Sequence, residues 1–302
     1  MAAIFTLMNI VAYFHAYKFT HFTRQKGPKT NAEKLSTLAK INTLIFGIDN
    51  PRPENEVIPT KKFDVINLQS NKKIECWSLK PDSSKGTVIL FHGYGGSKSS
   101  MLDTSEELIK QGFSTLLVDF MGSGGSEGYQ TTIGFDEAEE VKTCFDYLTE
   151  KGERTIYLFG TSLGAVAIMK SIHDYQIQPT GIIIQCPFGS MYQTTCIRFN
   201  TMRVPPFPMA GFLVFWGGIQ NGFWAFGHNP IDYAKSIKCP TLLIYGEQDK
   251  KVSRRETDQI YSNLSCQKNL KIYPQAGHGD YLTTCKKEWL EDIKSFIELT
   301  RQ

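Results

Sequence analysis

Short apolar runs alternate with longer amphipathic stretches along most of the chain. "GTVILFHG", "FSTLLVDF", "RTIYLFG", "TGIIIQCP" and "CPTLLIYG" are near-continuous apolar runs, the texture of strands covered on both faces. Between them, "SKSSMLDTSEELIKQG" and "GFDEAEEVKTCFDYLTEKG" repeat apolar residues at helical spacing and stop at Gly112 and Gly152. "SLGAVAIMKSIHDY" is a further helix, and "SRRETDQIYSNL", "KNLKIYP" and "EWLEDIKSFIELTRQ" close the chain as helix, strand and helix. Strands separated by helices pair in parallel, because a parallel connection needs a crossover. Ahead of this series, "KKFDVINLQ" and "KKIECWSLKP" read as a hairpin turning at Ser70 and Asn71. The pattern predicts an α/β domain over residues 61–302, a doubly wound and mostly parallel sheet, with no internal repeat.

Two segments break the alternation. Residues 187–232 read as a long irregular insertion, dense in aromatic side chains. Phe207, Phe212, Trp216, Phe223 and Trp224 make a small core of the insertion's own, an apolar wall for an acyl chain or aromatic group, or a surface that meets a membrane. The second segment is the N-terminus. Residues 1–24 form an apolar helix with no charged residue before Lys18. Its apolar run sits at the floor for a spanning helix, and Thr6, Asn9, Tyr13, Tyr17 and Thr20 recur along it at helical spacing. Such a stripe suits a helix lying in a membrane interface or packed on the protein's own body. There is no basic n-region or cleavage site of a signal peptide. If residues 1–22 touch a bilayer, Lys18, Arg24, Lys26 and Lys29 hold the following domain on the cytoplasmic side. Residues 25–60 read as a connector, with a short helix capped by Asn31 and then "DNPRPENEVIP", too rich in Pro and Asn for regular structure.

Charge and cysteine content narrow the classes. A net charge of +3 with no long basic run argues against a nucleic-acid partner. Seven cysteines without Cys-x-x-Cys or zinc spacing point to free thiols in a reducing, cytoplasmic setting and to no metal site.

Gly-x-Ser-x-Gly occurs twice, as "GTSLG" around Ser162 and "GGSEG" around Ser126. A nucleophile elbow needs its serine on a sharp turn between a strand and a helix that approach closely, which is why glycines flank it. Ser162 has "TIYLF" before it and a helix after it, with Gly160 and Gly164 as the flanking glycines. Ser126 lies in "MGSGGSEGYQTT", too glycine-rich to start a helix, and reads as part of a flexible loop lining the crevice. A serine hydroxyl needs a base, and the base needs an acid to orient it. In this kind of sheet these follow the serine as acid and then histidine, on loops at strand ends. His278, in "YPQAGHGD" after the last strand, is the candidate base; His228, inside the insertion, caps a turn or lines the pocket. Asp249, in "GEQDKKV", is the candidate acid, with Glu247 as the alternative. The oxyanion needs fixed N–H donors. Leu163, following the serine, supplies one, and Tyr94 in "FHGYGGSKS" the other, with Gly93 and Gly95 letting the backbone come close. The same glycine-rich loop could cradle phosphate, but it lacks the Gly-Lys-Ser/Thr ending and the Gly-x-Gly-x-x-Gly spacing.

Together "HGYGG", "VDFMGSGGSEG", "GTSLG", "GEQD" and "GH" resemble the α/β-hydrolases, in particular the branch with monoacylglycerol lipases, lysophospholipases and acyl-peptidase-like enzymes. The resemblance runs from about residue 86 onward. It implies an α/β-hydrolase fold with a small cap over the site, a Ser162–His278–Asp249 triad, and no metal or organic cofactor. It departs at Met121, where many relatives carry Arg. The expectation is a serine hydrolase acting on a carboxylic ester, lipid-like or small. Amide, peptide or thioester hydrolysis, or acyl transfer, would use the same triad, and a non-catalytic binding member is the rival of a different class. No basic cluster stands out over the site, which argues against polyanionic substrates.

Overall fold

Eight strands form one sheet in the order β1-β2-β4-β3-β5-β6-β7-β8 in a computed structural model that describes residues 2–24 and 37–301. Asn31, proposed as a helix cap, and Lys26 and Lys29 lie outside the described residues. In chain order the elements are α1 (Ala2–Thr20), α2 (Thr37–Phe46), β1 (Phe63–Gln69), β2 (Lys73–Leu79), β3 (Thr87–Phe91), α3 (Leu102–Lys110), β4 (Ser114–Val118) and α4 (Glu137–Glu150). Then follow β5 (Ile156–Thr161), α5 (Leu163–Tyr175), β6 (Gly181–Gln185), α6 (Met191–Thr201), α7 (Met209–Asn221), α8 (Pro230–Tyr233), β7 (Thr241–Gly246), α9 (Arg254–Asn263), β8 (Lys268–Tyr273), α10 (Tyr281–Thr284) and α11 (Lys286–Thr300).

β1 and β2 form the expected hairpin, and β2 joins β4 antiparallel. From β4 to β8 every pairing is parallel. β3, β4 and β6 are buried at every position, as their unbroken apolar runs require, whereas the edge strand β1 keeps exposed residues. One core layer packs α4 and α5 on one face of the sheet; the other sets Trp289, Ile293 and Phe296 of α11 against the opposite face. Both layers leave the C-terminal ends of the parallel strands open to carry a site.

The insertion differs from the irregular segment read in the sequence. It contains two full helices, α6 and α7. The segment "MAGFLVFWGGIQN" is apolar nearly all round, so it carries no helical periodicity to detect. It is apolar all round because α7 is packed on more than one side. α1 lies along α7, with Ala12 and Ala16 buried. Much of the polar stripe of α1 faces α7: Trp216 Nε1 donates to Asn9 Oδ1 at 3.2 Å, Gln220 Nε2 to the Tyr13 carbonyl at 2.9 Å, and Asn221 Nδ2 to Thr20 Oγ1 at 3.2 Å. Phe5 meets Phe212 and Tyr13 meets Trp216 edge to face. Of the two readings left open for the N-terminal helix, the structure shows packing on the protein's own body. No helix among the described residues is long and apolar enough to cross a membrane.

The connector is tied to the sheet. Arg52 donates to the carbonyls of Gly124 at 2.7 Å, Gly128 at 3.1 Å and Ser123 at 3.3 Å, and also to that of Ser126. Asn55 Nδ2 donates to Asp119 Oδ2 at 2.9 Å. Asp119 and Lys98 are fully buried and paired, Lys98 Nζ also reaches Glu75 at 2.8 Å, and the Lys98 ammonium lies 4.4 Å from the centre of the Trp77 ring. Burial would raise the Asp119 pKa, but Lys98 and the neighbouring His92 outweigh it and hold it below the ordinary carboxylate value.

Glu140 is a buried carboxyl of the opposite kind. Its Oε2 accepts the Met121 N–H at 3.0 Å, and its Oε1 has no partner. Met121 itself is buried and supplies no cation beside Glu140. Burial, then the neighbouring Glu137, hold the Glu140 pKa well above its ordinary value. A carboxyl with a raised folded-state pKa contributes fully below its unfolded pKa, and that contribution is lost as pH rises toward the folded value. Glu140→Gln removes this loss. The melting-temperature advantage of the variant over wild type is therefore expected to grow from pH 5 to pH 8, and an advantage constant across that range would refute a protonated Glu140.

Candidate active site

Ser162 sits between the end of β5 and the first residue of α5, with φ 53° and ψ −110°. This left-handed strain is the mark of an elbow, held because both neighbours must come close. A Cβ on Gly160 would stand 2.5 Å from the Gly164 backbone, and one on Gly164 would stand 2.3 Å from the Phe91 carbonyl oxygen. The turn is pinned by the Ser162 N–H, which donates to the Gln185 carbonyl at 2.8 Å, and by the Ser162 carbonyl, which accepts from Val166 at 3.0 Å.

The loops after β7 and β8 bring the other two residues to this turn. Ser162 Oγ donates to His278 Nε2 at 3.0 Å, and His278 Nδ1 donates to Asp249 Oδ2 at 2.7 Å. The second carboxylate oxygen, Oδ1, accepts the backbone N–H groups of Lys251 at 2.7 Å and Val252 at 3.0 Å, which fixes the plane of Asp249. Glu247, the alternative acid, is exposed. The His278 ring is mostly enclosed, which disfavours its charged form, but the Cys186 sulfur and the Asp249 carboxylate outweigh burial and raise its pKa above the ordinary histidine value.

Cys186, one of the free thiols, also belongs to this cluster. It follows β6 with φ 41°, is fully buried, and places Sγ 4.0 Å from His278 Nε2. Its sulfur, the Asp249 carboxylate and the His278 imidazole lie within 4.8 Å of one another, a donor set with zinc chemistry. Both imidazole nitrogens are already engaged, so a cation there would have to displace the Ser162 contact.

Leu163 opens α5, so its N–H has no partner within the helix and stands beside the serine, at the helix's positive end. Tyr94 lines the same pocket. Gly95 has φ 69° and open space around its Cβ position, and a Cβ on Gly93 would only touch Thr161 and Ser162 at ordinary distance. The Tyr94 side chain does something the sequence did not suggest. Its hydroxyl donates to the Phe19 carbonyl at 2.7 Å, and its ring stacks on the Phe19 ring at 4.6 Å. The end of α1 is thereby part of the pocket wall.

The pocket is walled by Phe19, Ile133, Phe188, Met191 and Val252, with Thr194, Thr195, Arg198 and Lys251 as its polar members. None of the five aromatic residues proposed from the insertion lines it. Phe212 and Trp216 pack on α1, Phe223 stacks on Phe135 at 4.1 Å, and Phe207 and Trp224 are exposed at 81% and 65%. The apolar wall comes instead from Phe19 of α1, Met191 of α6 and the loop residues Ile133, Phe188 and Val252. Met191, Thr194, Thr195 and Arg198 follow the i, i+3, i+4, i+7 pattern of a single helix face, a signal that was available in the sequence once α6 is recognised as a helix.

The rejected candidates have structural roles. Ser126 is buried, not part of a flexible crevice wall; its Oγ donates to the Asp119 carbonyl at 2.6 Å and accepts the Glu75 N–H at 2.8 Å. His228 is fully buried between the Ile133 carbonyl and the Tyr233 hydroxyl, each at 3.0 Å, and burial pushes its pKa down to about 4. It bonds the body of the protein and does not line the pocket.

A parallel sheet carrying a strained serine elbow, with histidine and carboxylate on the loops after the last two strands, defines the α/β-hydrolase class. The pattern of the Hydrolase_4 family, serine aminopeptidase S33, matches residues 82–209 and 222–281, and the chain belongs to this family of hydrolases. It is 24% identical to the uncharacterized protein Rv2307c of Mycobacterium tuberculosis strain H37Rv, over 85% of this chain and 86% of that one. It is 22% identical to the lysophosphatidylserine lipase ABHD12 of Xenopus tropicalis, over 67% of this chain and 53% of that protein. The fold is shared with the Pyrococcus furiosus esterase Pf2001 at a TM-score of 0.68 and 22% identity, covering 83% of this chain and 99% of the esterase.

Proposed function

We propose that the protein is a serine hydrolase that cleaves carboxylic esters through an acyl-enzyme. The observation that carries this reading is the continuous hydrogen-bonded chain from Asp249 through His278 to the strained Ser162. In this mechanism His278 Nε2 takes the proton from Ser162 Oγ as the oxygen attacks the ester carbonyl. The C=O electron pair moves onto oxygen, where the N–H groups of Leu163 and Tyr94 stabilise it. The tetrahedral intermediate collapses, the alcohol leaves with the proton from His278, and the acyl group stays on Ser162. Water, deprotonated by the same ring, repeats the sequence and releases the acid. Asp249 keeps Nδ1 protonated and stabilises the imidazolium at each stage.

The apolar walls support an acyl group as the part of the substrate beside the serine. A lipid-like ester is supported by the exposed Phe207 and Trp224 on the insertion and by the exposed Ile4 and Leu7 on α1, apolar side chains of the kind that meet lipid. The name of the ABHD12 relative and that of the Pyrococcus esterase agree with ester chemistry, whereas the family's aminopeptidase description makes amide hydrolysis the alternative.

Covalent labelling with a neutral fluorophosphonate tests the assignment. Wild type and Ser126→Ala are expected to take the label, and Ser162→Ala to take none. A label that survives Ser162→Ala, or a folded wild type that never reacts, overturns the reading. A panel of esters and matching amides of one acyl group then separates the two bond types.

A further inference from the structure

Arg198 is the charged residue of the pocket that the triad leaves unused. It ends the α6 face formed by Met191, Thr194 and Thr195. Its guanidinium carbon lies 4.4 Å from the centre of the Phe19 ring. That contact is with the ring face and uses none of the five N–H donors. Among the described residues the guanidinium makes no hydrogen bond and no ion pair, and it lies half-buried in the pocket wall. The second cation lining the pocket is Lys251, which is exposed. No Asp or Glu lines the pocket, and the Asp249 side chain is fully buried behind His278. A half-buried guanidinium with no hydrogen-bonded partner keeps its donors available for a ligand that supplies the counter-charge. The Phe19 ring it rests on is itself held, because Tyr94 stacks on that ring and donates its hydroxyl to the Phe19 carbonyl.

We propose that Arg198 is an anion-binding residue of the substrate pocket, so that the ester attacked by Ser162 carries a carboxylate or phosphate group. The inference rests on the ester-hydrolase reading of the triad and deepens it. The planar fork of a guanidinium pairs with either oxyanion through two parallel N–H bonds, and the ring stack leaves that fork free. A single arginine selects one anionic group and needs no basic cluster over the site.

Two matched pairs of esters test it at low ionic strength: 4-nitrophenyl hemiglutarate against 4-nitrophenyl pentanoate, and 1-butyryl-glycerol 3-phosphate against 1-butyryl-glycerol. The readout is the ratio of kcat/KM for the charged member to that for the neutral member. In wild type this ratio is expected to exceed one by about 10- to 100-fold for at least one pair, the range of a hydrogen-bonded charge. The pair that shows it identifies carboxylate or phosphate as the anion. In Arg198→Met the ratio is expected to collapse toward one, mostly through KM of the charged member, and in Arg198→Lys to fall part of the way. A wild type that treats both pairs alike, or a folded Arg198→Met that keeps the preference, overturns the proposal. Failure of the hydrolase reading is visible separately, as the absence of turnover and of fluorophosphonate labelling in every variant. In that case calorimetry with glutarate and glycerol 3-phosphate still decides on Arg198: binding to wild type that Arg198→Met abolishes supports the anion site, and equal binding or none refutes it.

Discussion

Ser162→Ala is expected to lower kcat/KM for the preferred ester by about 10⁴- to 10⁶-fold, the loss that follows when a serine nucleophile is removed from a working triad. His278→Ala is expected to fall in the same range. The double variant Ser162→Ala/His278→Ala should lose no more than either alone, because the hydroxyl and the imidazole act as one unit joined at 3.0 Å. The residual rate in all three reports what the oxyanion donors and substrate binding do without a nucleophile. Steady-state kinetics on purified, folded variants decides the matter. A Ser162→Ala protein within tenfold of wild type removes Ser162 as nucleophile. Losses that multiply in the double variant mean that the two side chains act independently, against the geometry that joins them.

The second large effect concerns stability. Lys98→Met leaves Asp119 fully buried without its ammonium partner and strips Glu75 of its contact. Breaking a buried pair from one side costs about 3–5 kcal/mol, a large share of the stability of an ordinary domain. Asp119 also accepts the backbone N–H of Lys98 and of Gly125, each at 2.7 Å, so the glycine-rich loop after β4 and the turn after β3 are expected to loosen together. Urea unfolding is the measurement, read as a fall in the midpoint. Lys98→Met/Asp119→Asn removes both charges and is expected to recover part of the loss. If Lys98→Met unfolds within about 1 kcal/mol of wild type, the pair is not a structural requirement. If the double variant is worse than the single, the cost lies in packing and not in the stranded charge.

The residues that could be read from the sequence share one property: their geometry is local. Gly160 and Gly164 are set by the closeness of one strand and one helix, so their spacing around Ser162 is visible in five consecutive letters. Asp249 and His278 lie just past strand ends, and strand ends follow from apolar runs. Ser126 matched the same letters but lacked a helix after it, and its hydroxyl is used to tie β2 to the loop after β4. What could not be read depends on distant segments. Cys186 approaches His278 from a position 92 residues earlier in the chain. Arg52 gains its role only from carbonyls more than 70 residues away. Composition leaves the aromatic residues of the insertion open as a core of its own, a pocket wall or a membrane surface, because it is blind to direction; α7 turns Phe212 and Trp216 toward α1, and the pocket receives the face of α6 instead. Arg198 was missed for the same reason, since a helix face has meaning only once the helix is recognised.

The stacking of Tyr94 on Phe19 has a practical side. An apolar N-terminal segment is the part of a chain most readily trimmed to ease purification. Here the trimmed piece would take with it Phe19, the ring against which Arg198 rests, and the carbonyl that holds the Tyr94 hydroxyl. Rate constants collected on a shortened chain would describe a reshaped pocket, with its arginine free to swing and one oxyanion loop unbraced. The first helix is a wall of the candidate site as well as a cover for the insertion.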